Sequence, residues 1–220
     1  MRRIFILLTC LAASFPVFAQ TTAWPYLYPD FQTGTIVMSD GKEQRATVNV
    51  HLLKGDLHFI DDKGVIQMAP AVQFTGVRIG EASFRRIEGY LMQVLPGPDE
   101  GNFIALRRTA DLSALNETGG AYGVSSTTSS TRKITSIDLP GMVNTSHMEI
   151  MQNREYGQKL KIKSEYFIVL DGKVIKASKK DVGEAVSAER AAEFKQFLKK
   201  NKINWKDENS LLTLFDFFKQ

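Results

Sequence analysis

The sequence predicts an α+β protein, mainly an antiparallel β sandwich or partly closed barrel, finished by a C-terminal two-helix cap. Three observations point there. Short apolar runs follow one another from Phe31 onward, glycine- and aspartate-bearing turn signals separate them, and spacing changes to three and four residues only after Ser187. No period of roughly 20 to 50 residues repeats, which excludes a solenoid or propeller.

The chain starts with a targeting pattern. Arg2 and Arg3 precede the apolar run Ile4–Ala13, and Val17-Phe18-Ala19 ends with small residues at the cleavage positions. Residues 1–19 are therefore expected to be a secretory signal peptide. Lipidation at Cys10 and a retained anchor fit less well, because Thr9 stands where a smaller residue is wanted and the apolar run falls well short of roughly 20 residues. Cleavage removes Cys10, the single cysteine of the sequence. Without a thiol the exported chain can build neither disulfides nor thiolate metal sites nor a cysteine nucleophile. Roughly 200 remaining residues suffice for an ordinary core.

The full-chain charge of +4 shrinks further with Arg2 and Arg3, so composition gives no argument for nucleic acid. No later apolar run is long enough for a transmembrane segment, and the strands are too short and irregular for an outer-membrane barrel.

Residues 20–30 form an aromatic N-terminal arm. Trp24, Tyr26 and Tyr28, interleaved with Pro25 and Pro29, can either close a sheet edge or offer a platform to a sugar ring. Residues 31–180 are the expected antiparallel β domain. Thr35–Met38 leads into Ser39-Asp40-Gly41-Lys42, and Leu57–Ile60 into Asp61-Asp62-Lys63-Gly64. Ala71–Ile79, Phe84–Ile87, Tyr90–Leu95 and Phe103–Arg107 continue the series across Gly80, Glu88-Gly89 and Pro96-Gly97-Pro98.

Residues 119–133 break the pattern, being so rich in Gly, Ser and Thr that they cannot bury enough apolar area to fold alone. They read as a mobile surface loop or as a hydroxyl-rich contact loop around Tyr122, Ser125 and Thr128. After Ile134–Leu139 comes a hairpin about Asp171-Gly172. Its segment Tyr166–Leu170 is apolar on both faces, so something must cover both sides.

Residues 181–220 supply a cover. Ser187 is the expected cap of a helix that lines up Ala191, Phe194, Phe197 and Leu198, and Asp207 caps a second helix carrying Leu211, Leu212, Leu214, Phe215 and Phe218. Neither helix is long enough to stand alone in water. Packing on the β domain is the economical reading, and a groove for a partner helix is the alternative.

The search for chemistry returns little. There is no Gly-x-Ser-x-Gly, Walker loop, His-Glu-x-x-His or Gly-x-Gly-x-x-Gly, so no catalytic residue is named and no cofactor is expected. A two-residue turn at Lys54-Gly55 would set His51 directly opposite His58, with Asn49 and Asp56 beside them. His51 and His58 are thus weak metal candidates, read in the first place as polar side chains on a solvated face. Arg85-Arg86 and Arg107-Arg108 sit in strands, which sends one member of each pair to either face. An inward arginine needs a partner or an anionic ligand, although snorkelling or a strand end is the commoner explanation.

The signal ending in Ala19-Gln20, "AYGVSSTTSST" at 121–131, "YFIVLDGKVIKASKKDV" at 166–182 and "FLKKNKINWKDENSLLTLFDFF" at 197–218 resemble a group of uncharacterised exported proteins of Bacteroidetes-type bacteria. The likeness covers most of the mature chain and is most specific in its last third. The resemblance implies an envelope location, in the periplasm, and a β-rich body with a short helical end. It transfers no activity and no catalytic residue. The expected function is a non-enzymatic binding or assembly module of the periplasm or cell envelope, with an envelope protein or glycan as partner. A carrier of a small apolar ligand or glycan in the β domain is the alternative.

Overall fold

A computed structural model describes residues 21–23, 26–52, 55–110, 145–146 and 159–219. Among them the strands join one antiparallel sheet. After the short β1 (Thr21–Ala23), β2 (Gln32–Met38), β3 (Glu43–His51), β4 (Asp56–Ile60) and β5 (Val65–Met68) form a first meander. A second comprises β6 (Phe74–Ile79), β7 (Ala82–Ile87), β8 (Tyr90–Leu95) and β9 (Asn102–Ala110). The two meet through β2 and β6. β10 (Thr145–Ser146) adds to β5, and β11 (Lys159–Leu170) adds to β9. The far edge of β11 takes β1 near its start and β12 (Lys173–Lys176) near its end. Among the described residues the pairing path has two ends, β1 and β10, so no ladder closes it.

Turn chemistry sets these registers. Leu170 pairs with Lys173 across Asp171 and Gly172, whose φ values of 47° and 84° make the mirror-image turn that matches strand twist.

The sheet then curls. Flat, β8 and β4 would lie five strand spacings or about 24 Å apart. Instead the Leu91 N–H donates to the Gly55 carbonyl at 3.0 Å, and the Ala110 N–H to the Leu52 carbonyl at 3.2 Å. Curling brings Val48, Val50 and Leu57 onto Val77, Phe84 and Leu91 in one buried cluster, which defines an inner face.

The rest of the inner face is covered by helices. Leu95, Ile104, Ile168 and Ile175 form a row across β8, β9, β11 and β12. Onto it pack Val182 of α1 (Lys179–Ala185), Phe194 of α2 (Ala191–Asn201), and Leu211, Leu214 and Phe215 of α3 (Glu208–Phe218). The described C-terminal segment thus holds three helices, where sequence spacing pointed to a pair. α1 is short, yet it has a real cap: Ser178 Oγ accepts the Asp181 N–H at 3.1 Å. Ser187 is not the cap of α2, because its carbonyl closes a turn with the Arg190 N–H and the helix begins one step later. Asp207 does cap α3, its Oδ1 accepting the Ser210 N–H at 2.8 Å.

Candidate functional site

The N-terminal arm prolongs β2 along β3, but out of step with it. Gln32 pairs with Val48 in the regular ladder, whereas Tyr26 bridges to His51, so residues 28–30 form an irregular bulge. Asn49 satisfies that bulge. Its Oδ1 accepts the N–H groups of Tyr28 at 3.1 Å and Val50 at 2.9 Å, while Nδ2 donates to the carbonyls of Tyr28 at 2.9 Å and Asp30 at 3.2 Å. A carboxamide can be buried here because its bonding capacity is used.

Two expectations about the histidines need correction. The β3–β4 connection is not a two-residue turn: His51 pairs with Asp56 and Asn49 with His58, so the loop runs from Leu52 to Gly55. Its bonds to Ala110 and Leu91 fix that length, and Gly55 occupies the left-handed region at φ 64°. The two-residue shift preserves which face each side chain takes, as a period of two requires, but makes His51 and His58 diagonal neighbours. Nor is the face solvated, since Asn49, His51 and His58 are 1%, 4% and 2% exposed.

The arm supplies the cover. Tyr26 lies edge-on to Phe31, His51 and His58, with ring centroids 4.8, 5.5 and 5.6 Å away. Burial pushes the His58 pKa down to about 4, so the imidazole is neutral. With its proton on Nε2, Nδ1 accepts the Tyr26 hydroxyl at 2.9 Å. The two imidazoles stack 4.8 Å apart at 15°. Stacked rings direct their nitrogens outward in parallel planes rather than toward a common ion. Among the described residues no group of three His, Cys, Asp or Glu side chains could hold a metal.

This places Tyr26 inside the structure, while Tyr28 is half-buried next to Arg108. Trp24, Tyr122, Ser125 and Thr128 lie outside the described residues.

The outer face carries a second cluster that the motif search did not identify. Met92, Phe103, Ala105, Phe167 and Val169 are buried together with partly buried Tyr90 and Val174. Cations lie over their rings. The Arg85 guanidinium stands 5.1 Å from the Phe103 centroid, and Arg107 stands 4.8 Å from Tyr90 and 5.0 Å from Phe167. Glu165 fixes this roof, accepting Arg107 at 2.6 Å and Lys176 at 2.8 Å. The hydrogen bonds from Lys176 and Arg107 hold its carboxyl below the usual range. Arg85 is fixed by donating to the Glu100 carbonyl at 3.1 Å. Beside the roof runs an open groove of about 560 Å³, lined by apolar Phe103, Val169 and Val174 and by charged Arg85, Arg86 and Glu100.

The architecture is therefore an open, curled antiparallel sheet with a helical cover inside and a cation-roofed apolar strip outside. Compared with family models, curated proteins and solved structures, the chain matches none. No described helix is long and apolar enough to cross a membrane.

Proposed function

We propose that the protein is an exported, non-enzymatic binding or assembly module of the periplasm or cell envelope, which docks a partner along the outer strip and its groove. One observation carries the reading: the strip formed by β8, β9, β11 and β12 is apolar, with arginine side chains lying over its aromatic rings. Such a surface offers apolar contact together with oriented cationic donors, which suits an envelope protein bearing carboxylates among apolar side chains. The signal pattern of residues 1–19 and the resemblance to exported proteins support the location. The lack of a recognisable catalytic motif supports a non-enzymatic role.

In this reading the curled sheet is a partly closed barrel. Val48, Leu57, Val77 and Phe84 fill its interior, which favours surface docking over an internal apolar cargo. A photo-crosslinking residue placed at Val174 in the native host tests the strip, with Val72, 85% exposed in the β5–β6 turn, as the control position. A discrete adduct is expected from position 174, lost with Arg85→Glu in a chain that keeps its circular dichroism. Equal labelling from positions 174 and 72 contradicts the reading.

A further inference from the structure

The groove beside the outer strip has an apolar floor. Phe103, Val169 and Val174 pair across β9, β11 and β12, so their side chains form one row on the outer face. Phe103 and Val169 are buried, whereas Val174 is half-buried, and Gly172 borders open space, since a Cβ added there would meet nothing within 4 Å. The groove is therefore reached directly from solvent. Its volume of about 560 Å³ falls within the range of ligand-sized sites.

Arg85 supplies a fixed charge over that floor. Its Nη1 donates to the Glu100 carbonyl at 3.1 Å, and its guanidinium lies 5.1 Å from the Phe103 centroid. Arg107 has Glu165, but among the described residues Arg85 has no carboxylate within ion-pair distance. The residue is exposed, so most of its N–H donors remain for an incoming acceptor. Arg86 also lines the groove, but its guanidinium is drawn over Phe74, 5.6 Å from that ring. The anion-binding role falls to Arg85.

These positions restrict the occupant. Cation and floor are in contact, so the occupant must carry a carboxylate and an apolar group close together. An internal Asp or Glu of an extended segment does not, because the next side chain points to the opposite face and the one after lies roughly 7 Å along. The last residue of a chain does, since its α-carboxylate and its side chain share one carbon. Glu88 and Glu100 also line the groove, and among the described residues neither has an ion pair. They oppose a bare anion, and a basic side chain shortly before the terminus offsets them. A free fatty acid would satisfy Arg85 but set an uncharged tail beside both glutamates.

We propose that the groove binds the C-terminus of a partner chain that ends in an apolar residue and carries a basic residue just before it. The terminal carboxylate meets the open edge of Arg85, whose parallel N–H groups match two oxygens. The last side chain lies on Phe103, Val169 and Val174, and the glutamates take the base. Because Arg85 is already held by Glu100 and Phe103, little side-chain freedom is lost on binding. The assignment rests on docking along the outer strip and names the part of the partner that enters its groove.

Methyl NMR of Val169 and Val174 in the purified chain tests it. The probes are acetyl-Ala-Lys-Ala-Leu with a free carboxylate, the same peptide as its C-terminal amide, acetyl-Ala-Ala-Ala-Leu with a free carboxylate, and octanoate. The lysine peptide is expected to shift both methyl sets saturably in the millimolar range, and amidation should weaken it about tenfold. Arg85→Gln should erase the difference between acid and amide with circular dichroism unchanged, because the exposed side chain carries no part of the core. Glu100→Gln, which leaves the carbonyl that holds Arg85, should shrink the preference for the lysine peptide over its alanine counterpart. Equal binding of acid and amide to the unsubstituted chain, tighter binding of octanoate than of the lysine peptide, or no methyl shift at all overturns the proposal. With no shift, a surviving crosslink from position 174 in the host would leave docking along the strip standing, whereas its absence would remove both.

Discussion

His58 is neutral because Tyr26, His51 and the arm exclude water from it, and that neutrality has a pH signature. Its folded pKa, about 4, lies below the ordinary value of 6.5, so between those values the unfolded chain binds the proton and the folded chain does not. Stability is retained above pH 6.5 and falls as pH drops toward 4, by about 3 kcal/mol for a shift of this size. Urea unfolding from pH 7 to pH 4 should show the loss, and His58→Gln, which keeps an acceptor for Tyr26, should remove this contribution. Asn49 predicts a larger local effect without pH dependence. Asn49→Ala strands the bulged backbone of Tyr28 and Asp30, and should cost about 3 kcal/mol in the same assay, several times a surface change. At this scale the sequence was readable for parity alone. It put Asn49, His51, Asp56 and His58 on one face correctly, because a two-residue slip keeps parity. It could not reveal that the arm would bury that face.

Elements with a strong local signature were legible. Asp207 followed by an apolar stripe gave α3, and Asp171-Gly172 between apolar runs gave the β11–β12 turn. α1 was not, since seven residues hold too little periodicity to stand out from a hairpin end. Nor was the break between strand and turn at residues 71–73, where the apolar run hid that β6 begins only at Phe74. The helices owe their stability to packing rather than propensity. Phe194 and Phe215 both lie in the cluster under Ile104 and Ile168. Replacing either by Ser should cost about 4 kcal/mol, and replacing both should exceed the whole stability of an ordinary domain. The double variant is expected to lose its near-ultraviolet circular dichroism and cooperative melting. A cooperatively folded double variant would return the helices to the role of a partner groove.

For the molecule as a whole, the decisive event is the curl, which depends on Leu52 meeting Ala110 and Gly55 meeting Leu91. Those contacts join distant parts of the chain and leave no mark in local periodicity. They divide the sheet into an inner face, self-covered and helix-covered, and an outer face where arginines lie over Phe103, Tyr90 and Phe167. The adjacent arginine pairs announced that one member would face each way, but only the assembled strands give Arg107 its Glu165 and leave the Arg108 Nε without a hydrogen-bond partner among the described residues. The proposed docking function rests on the outer arrangement. Its most direct test is native mass spectrometry of the chain purified gently from its own host's envelope, alongside Val174→Asp. Extra protein or glycan mass on the unsubstituted chain, absent from Val174→Asp, is the predicted result. A bare monomer in both, or the same added mass in both, would contradict docking along the outer strip.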